Sequence, residues 1–186
     1  MDYASERDPL PTSIGAVDIA HGIIQSAYKG KANTVTGAIA RRAMLHGADQ
    51  VNAHNLELLL PPSAPDLLTN LATLVPSYEG QLIPGQVDLL GVTTLRFDYA
   101  MPCHRQWELA RGWAALYFAE RRNLVVQLIH HVPGLAGRTN KPHIHCLWMV
   151  RALHGCVFGA FADIAKPGSK TLLATEWAAY LGSRGR

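Results

Sequence analysis

The sequence predicts an α+β fold, an antiparallel sheet flanked by helices, with histidines on two adjacent central strands. Three observations predict it. Val125-Val126-Gln127-Leu128-Ile129 runs into His130-His131, and His143-Ile144-His145-Cys146-Leu147-Trp148-Met149-Val150 follows a turn-forming Asn140-Lys141-Pro142; both runs are short, apolar and β-compatible. Val92 to Ala100 alternates and is rich in β-branched residues, which reads as a third strand. Gln106 to Arg121 gathers Trp107, Ala110, Ala114, Leu116, Tyr117 and Phe118 on one side and turns Glu108, Arg111 and Glu120 outward, the pattern of an amphipathic helix. The second half therefore reads strand, helix, strand, loop, strand, helix, with the histidines on an antiparallel hairpin.

A chain of 186 residues can build one domain with a real core and is too short for two ordinary ones, so residues 1–186 are expected to form a single domain. Apolar residues make up 48% and charged residues 17%, a globular composition. No apolar run approaches the roughly 20 residues that cross a bilayer. The opening Met1-Asp2-Tyr3-Ala4-Ser5-Glu6-Arg7-Asp8 is polar and acidic, unlike a secretory leader. A cytoplasmic protein with no membrane partner is expected. Cys103, Cys146 and Cys156 are odd in number and lack CxxC spacing, which argues against a disulfide framework or a zinc finger. The net charge of +3 permits a nucleic-acid partner without singling one out. Several basic residues, among them Arg121, Arg122, Arg138 and Lys141, flank the histidine strands.

In chain order, residues 1–13, with Pro9 and Pro11, are expected as an arm. Val17, Ala20, Ile23, Ile24, Ala27 and Tyr28 recur at spacings of three and four and predict a helix from Ile14 to Lys29, stopped by Gly30 and Asn33. Thr36 to Met44 is a second helical candidate. Leu56 to Leu60 is a short apolar segment closed by a proline-rich loop, and Asp66 would cap a helix through Leu74. Tyr78 to Gly91 reads as loop, residues 131–142 as loop, and Lys170 to Leu181 as the last helix, with Leu172, Leu173, Trp177 and Tyr180 inward.

Side chains alternate faces along a strand, so His143 and His145 point the same way and Ile144 points to the other layer. Two imidazoles one pleat apart can share a metal ion, and His130-His131 at the end of the neighbouring strand offers a third. Three imidazoles leave coordination positions open. Whether His130 or His131 completes the set depends on where the strand ends. Cys146 alternates away from His145 and is expected in the core; His21, His46, His54, His104 and His154 share no spacing and are assigned to the surface.

The stretch from Leu95 to Phe158 resembles the core of the MobA/MobL plasmid relaxases, in the HUH superfamily of single-strand DNA nucleases. The matching features are a strand ending Ala100-Met101-Pro102, the helix around Trp107-Glu108-Leu109-Ala110-Arg111-Gly112-Trp113, a strand ending Ile129-His130, and Asn140-Lys141-Pro142-His143-Ile144-His145 after a glycine-rich turn. Gly155-Cys156-Val157-Phe158-Gly159 resembles the family's Gly-Phe-Gly turn, and Leu60-Pro61-Pro62-Ser63-Ala64-Pro65 its Pro-x-x-Ala-Pro segment. Two departures stand out. Lys141 is inserted into the family's Asn-Pro-His-x-His, and nothing in residues 1–13 looks like the family's central first strand.

The resemblance implies metal-dependent nicking and strand transfer of single-stranded DNA at a plasmid origin of transfer, with accessory mobilisation proteins as further partners. It implies His130, His143 and His145 as ligands of Mn²⁺ or Mg²⁺, with Zn²⁺ or Ni²⁺ after purification. Tyr28 matches the family's nucleophilic tyrosine, which lies on a helix and forms a 5′-phosphotyrosine link; Tyr3 is its rival. Lys29, Lys31, Arg138, Lys141 and Arg151 would hold the DNA backbone. Trp148 and Tyr99 could stack on bases but are expected in the core. The missing first strand supports an alternative, a DNA-binding relative that no longer nicks.

Overall fold

The computed structural model describes residues 4–7, 12–44 and 52–184, the first of these by backbone alone. The chain runs β1 (Ala4–Arg7), β2 (Thr12–Ile14), β3 (Val17–Gln25), β4 (Ala27–Tyr28), β5 (Lys31–Ala32), α1 (Val35–Arg42), β6 (Asn55–Leu59), α2 (Leu71–Glu79), β7 (Asp88–Phe97), α3 (Cys103–Ala114), β8 (Val126–His131), β9 (His143–Met149), β10 (Arg151–His154), β11 (Val157–Phe161) and α4 (Ser169–Arg184). Strands order β1-β3-β7-β9-β8-β6 in one antiparallel sheet, with β2 also on β3. The expected α+β architecture holds, and the histidine strands β8 and β9 are neighbours inside the sheet.

Each face of the sheet carries its own core. One face presents Val17, Ile19, Leu95, Phe97, Ile144, Cys146, Trp148, Val126 and Leu128 to Trp113, Phe118, Leu173 and Trp177 of α3, its continuation and α4. The other presents Ile24, Leu90, Val92, Leu147, Met149 and Ile129 to α1, α2 and the β10–β11 hairpin through Val35, Ala38, Leu74, Tyr78 and Phe158. Trp113 and Trp177 meet edge to face with ring centroids 5.3 Å apart, which ties α3 to α4. Gly91 lies opposite Trp148, and a Cβ there would sit 2.0 Å from the indole, so this crossing of β7 and β9 requires glycine.

Two corrections concern the N-terminal third. The helix expected from Ile14 to Lys29 is the central strand β3, paired along its length with β7. Val17, Ile19, Gly22, Ile23 and Ile24 are all buried, because helices cover both faces; a strand buried on both faces loses its polar alternation and mimics helical spacing. Of the expected arm, residues 1–13, Ala4–Arg7 form β1 and Thr12 and Ser13 begin β2, and both strands are hydrogen-bonded to β3. Val17–Gln25 is thus an inner strand of the sheet, with β1 and β2 on one side and β7 on the other.

Candidate metal centre

Antiparallel register decides which side chains share a face. His131 pairs with His143 and Ile129 with His145, whereas His130 pairs with Ile144. His131, His143 and His145 therefore project from one face and His130 from the other. The ring centroids of the three lie 5.2, 5.6 and 4.9 Å apart. One ring nitrogen from each falls within 4.8 Å of the others, so the group can hold a metal ion. His131 is buried; His143 and His145 are half-buried.

The group thus includes His131 and not His130, the expected third member. His130 is buried under α3, where its Nε2 lies 3.1 Å from Gln106 Oε1 and its ring stacks on Trp107. Gln106 donates its own amide to the Met101 carbonyl, so its oxygen is the group left to face His130. Every residue of β8 is buried, so the strand's sequence carries no alternation to say which histidine faces which layer. The signal lay in the pairing of strands.

Each imidazole is oriented by a second partner. His131 Nε2 donates to the Arg42 carbonyl at 2.6 Å, where α1 ends. His143 Nδ1 donates to the Lys141 carbonyl at 2.9 Å. His145 Nδ1 lies 2.9 Å from the Thr94 hydroxyl. These partners fix the ring that points at the cluster and leave one lone pair per ring, the arrangement that metal-ligating histidines need. His131 Nδ1 supplies the sharpest fit: it is buried and has no hydrogen-bond partner, which a metal ion would satisfy. The same face of β7 brings Arg96 directly opposite His143 and, beyond it on β3, Asp18 opposite Arg96. Asp18 accepts from Ser13 at 2.7 Å and pairs with Lys141 at 3.2 Å; these partners and Arg96 hold its carboxyl below the usual range.

Burial keeps the three rings neutral. Desolvation, assisted by neighbouring histidines and by Arg96, takes His143 down to about 4 and His145 well below its ordinary value, and burial also lowers His131. Neutral imidazole is the ligand form.

The other expected site residues scatter. Tyr28 is not on a helix. It closes β4 against β5, and Lys29 and Gly30 form the two-residue turn between them, both with positive φ (49° and 73°). The Lys29 ammonium lies 5.3 Å from the Tyr28 ring centre, and Lys31 faces Tyr28 across the ribbon. From Asp18, in the row of His143, to Gln25 at the other end of β3, the strand covers roughly 23 Å at about 3.3 Å per residue. Tyr28, Lys29 and Lys31 follow Gln25, so the structure does not bring them to the histidines. Arg151, expected to hold DNA, is buried and donates to the Gln81, Phe158 and Gly159 carbonyls, so its guanidinium clamps the β10–β11 hairpin. Lys141 and Arg138 do lie at the histidine end, in the loop entering β9. Tyr3 and His46 fall outside the described residues. Arg42, Thr94, Arg96 and Asp18 are the residues that sequence reading missed. His21, assigned to the surface, stacks on Trp148 and meets Thr93 at 3.2 Å. His54, His104 and His154 are exposed, as expected.

Three imidazoles thus converge from adjacent strands of an antiparallel sheet flanked by helices, and together they form a candidate metal centre. No family model matches the sequence, and no curated protein matches it. Among solved structures the chain is similar to one described as "Molecular Basis of Vancomycin Resistance Transfer in Staphylococcus aureus", with a TM-score of 0.58, 17% sequence identity and 72% of each chain covered. Among the described residues no helix is long and apolar enough to cross a membrane.

Proposed function

We propose that this protein binds single-stranded DNA, seats one phosphate at a divalent metal held by His131, His143 and His145, and cleaves the phosphodiester there, as a relaxase does at a plasmid origin of transfer. The observation that carries the reading is the charge of the site. Among the described residues no carboxylate joins the three neutral imidazoles, so they leave the charge of a divalent ion uncompensated; Arg96 and Arg42, whose charges reach His145, add to it, and the nearby Asp18 carboxylate is already paired with Lys141. Phosphate is the substrate group that such an excess of positive charge selects. The shared fold with a protein of resistance transfer supports the same reading.

Mn²⁺ or Mg²⁺ is the proposed working ion, with Zn²⁺ or Ni²⁺ favoured by raw affinity during purification. When bound, it supplies Lewis-acid polarisation of the non-bridging phosphate oxygens. The chain's residues do the rest. The carbonyls of Arg42 and Lys141 and the Thr94 hydroxyl hold the rings in place; Arg96, Lys141 and Arg138 meet the phosphates. Accessory mobilisation proteins would supply further contacts at the origin.

Tyr28 beyond the far end of β3 counts against a Tyr28 phosphotyrosine. That one observation favours a second reading, a relaxase-like DNA-binding protein that does not nick. The test is incubation with Mn²⁺ and labelled single-stranded oligonucleotides, followed by a search for an SDS-resistant adduct. An adduct lost in His143→Ala supports nicking, and mapping it names the nucleophile. Mn²⁺-dependent retention of DNA without an adduct supports the second reading. Absence of DNA affinity with or without Mn²⁺ sinks both.

A further inference from the structure

We infer that Tyr99 is a stacking platform for the base next to the phosphate held at the histidine centre; this rests on the single-stranded DNA reading above. β7 leads from Arg96, opposite His143, to Phe97, whose backbone N–H donates to the Pro142 carbonyl at 2.9 Å. A turn follows at once. The Asp98 carboxylate accepts from Ala100 N–H at 2.9 Å and its carbonyl accepts from Met101 N–H at 3.1 Å. This turn places Tyr99 at the histidine end of the sheet, and the residue, expected in the core, is 59% exposed, whereas Tyr78, Tyr117 and Tyr180 are buried.

The exposed ring is not left to swing. Its hydroxyl donates to the Thr139 carbonyl, in the loop that enters β9. A ring already ordered loses little side-chain entropy when a base stacks on it. The same bond joins the two segments that carry Arg96 and His143. Thr139 stands two residues before Lys141, a reach of at most about 7 Å, and the Lys141 carbonyl holds His143 by Nδ1, the ring atom turned away from the cluster. Tyr99 therefore sits beside the centre and not in it. Its proton is held by a carbonyl, which is no base. That position and that bonding suit the neighbouring nucleotide's base and not in-line attack on the phosphate.

The surrounding cations fit the same nucleotide. Lys141 and Arg138 flank Thr139 in the loop, and the Lys141–Asp18 pair, with side chains 43% and 24% exposed, is weak enough to exchange for a phosphate. Stacking on an aromatic ring is tolerant of base identity, so the platform would hold any sequence.

The test measures binding of labelled oligothymidylate to the full chain by fluorescence anisotropy, with and without Mn²⁺. The oligonucleotide is used intact and with one abasic position moved along it. Tyr99→Ala should weaken binding by roughly 5- to 150-fold, the span of one base–aromatic stack, while Tyr99→Phe and Tyr99→Trp keep most of the affinity. At one abasic position the native protein should fall to the level of Tyr99→Ala, and Tyr99→Ala should lose nothing more there. Equal binding of intact DNA by the native protein and Tyr99→Ala overturns the inference alone. So does a Tyr99→Ala loss that persists at every abasic position. A native protein with no affinity for DNA overturns the underlying reading as well.

Discussion

Acidification separates a buried three-histidine centre from three surface histidines that happen to lie close. A proton competes with the metal for the same lone pair, so each ligand weakens binding by the factor 1 + 10^(pKa − pH). Three ordinary imidazoles with pKa about 6.5 would each cost about 11-fold at pH 5.5, roughly 1,000-fold together. His143, lowered to about 4 chiefly by burial, costs almost nothing at that pH. His145, well below its ordinary value, and His131, lowered by burial, act in the same direction. Zinc affinity should therefore fall by less than roughly tenfold between pH 7.5 and 5.5. Isothermal titration in buffers of different ionisation enthalpy counts the protons released; fewer than one at pH 5.5 is expected. A 1,000-fold fall, or release of nearly three protons, would refute the burial argument. The metal-free protein should behave in the opposite way. Its folded state binds fewer protons than the unfolded chain between pH 6.5 and 4, so stability is lost as pH falls through that window. The shift of His143 alone corresponds to roughly 3 kcal/mol, and His21 and His130, each lowered to about 4, add to it.

Four further outcomes can be checked directly. His131→Ala should weaken zinc binding by more than the roughly 10- to 100-fold that loss of an outer partner costs, whereas His130→Ala should leave it within a few-fold and lower the melting temperature. Thr94→Val, which keeps the shape and removes the partner of His145 Nδ1, should cost roughly 10- to 100-fold in metal affinity with little change in the urea midpoint. Gly91→Ala puts a methyl group against the Trp148 ring; overpacking of about 1–3 kcal/mol should appear as an earlier thermal transition. Arg96→Ala should reduce the slope of log affinity for single-stranded DNA against log salt by about 0.7, as expected for one lost phosphate contact.

The strands that carry the histidines, the amphipathic α3 and the α+β class were legible because their patterns are local: period two in β9, turn residues before it, and a strong helical face. Helix α1 was legible too, although its end at the Arg42 carbonyl was not known to be a partner of His131. The reading failed where both faces of a strand are covered. In β3 buried residues nearly fill the strand, and their spacing fits a helix as well as a sheet. In β8 burial on every position hid which of His130 and His131 shares a face with His143.

By itself the sequence determined that paired imidazoles stand on a strand beside a second histidine pair, because alternation along an extended chain is set by backbone geometry. Only the tertiary structure decided the rest. The cross-strand register chose His131 over His130, since facing residues of an antiparallel pair share a side and a slip of one would exchange them. Contacts between residues far apart in the chain set Arg96, Asp18, Thr94 and Arg42 around the centre, and the length of β3 carried Tyr28 away from it.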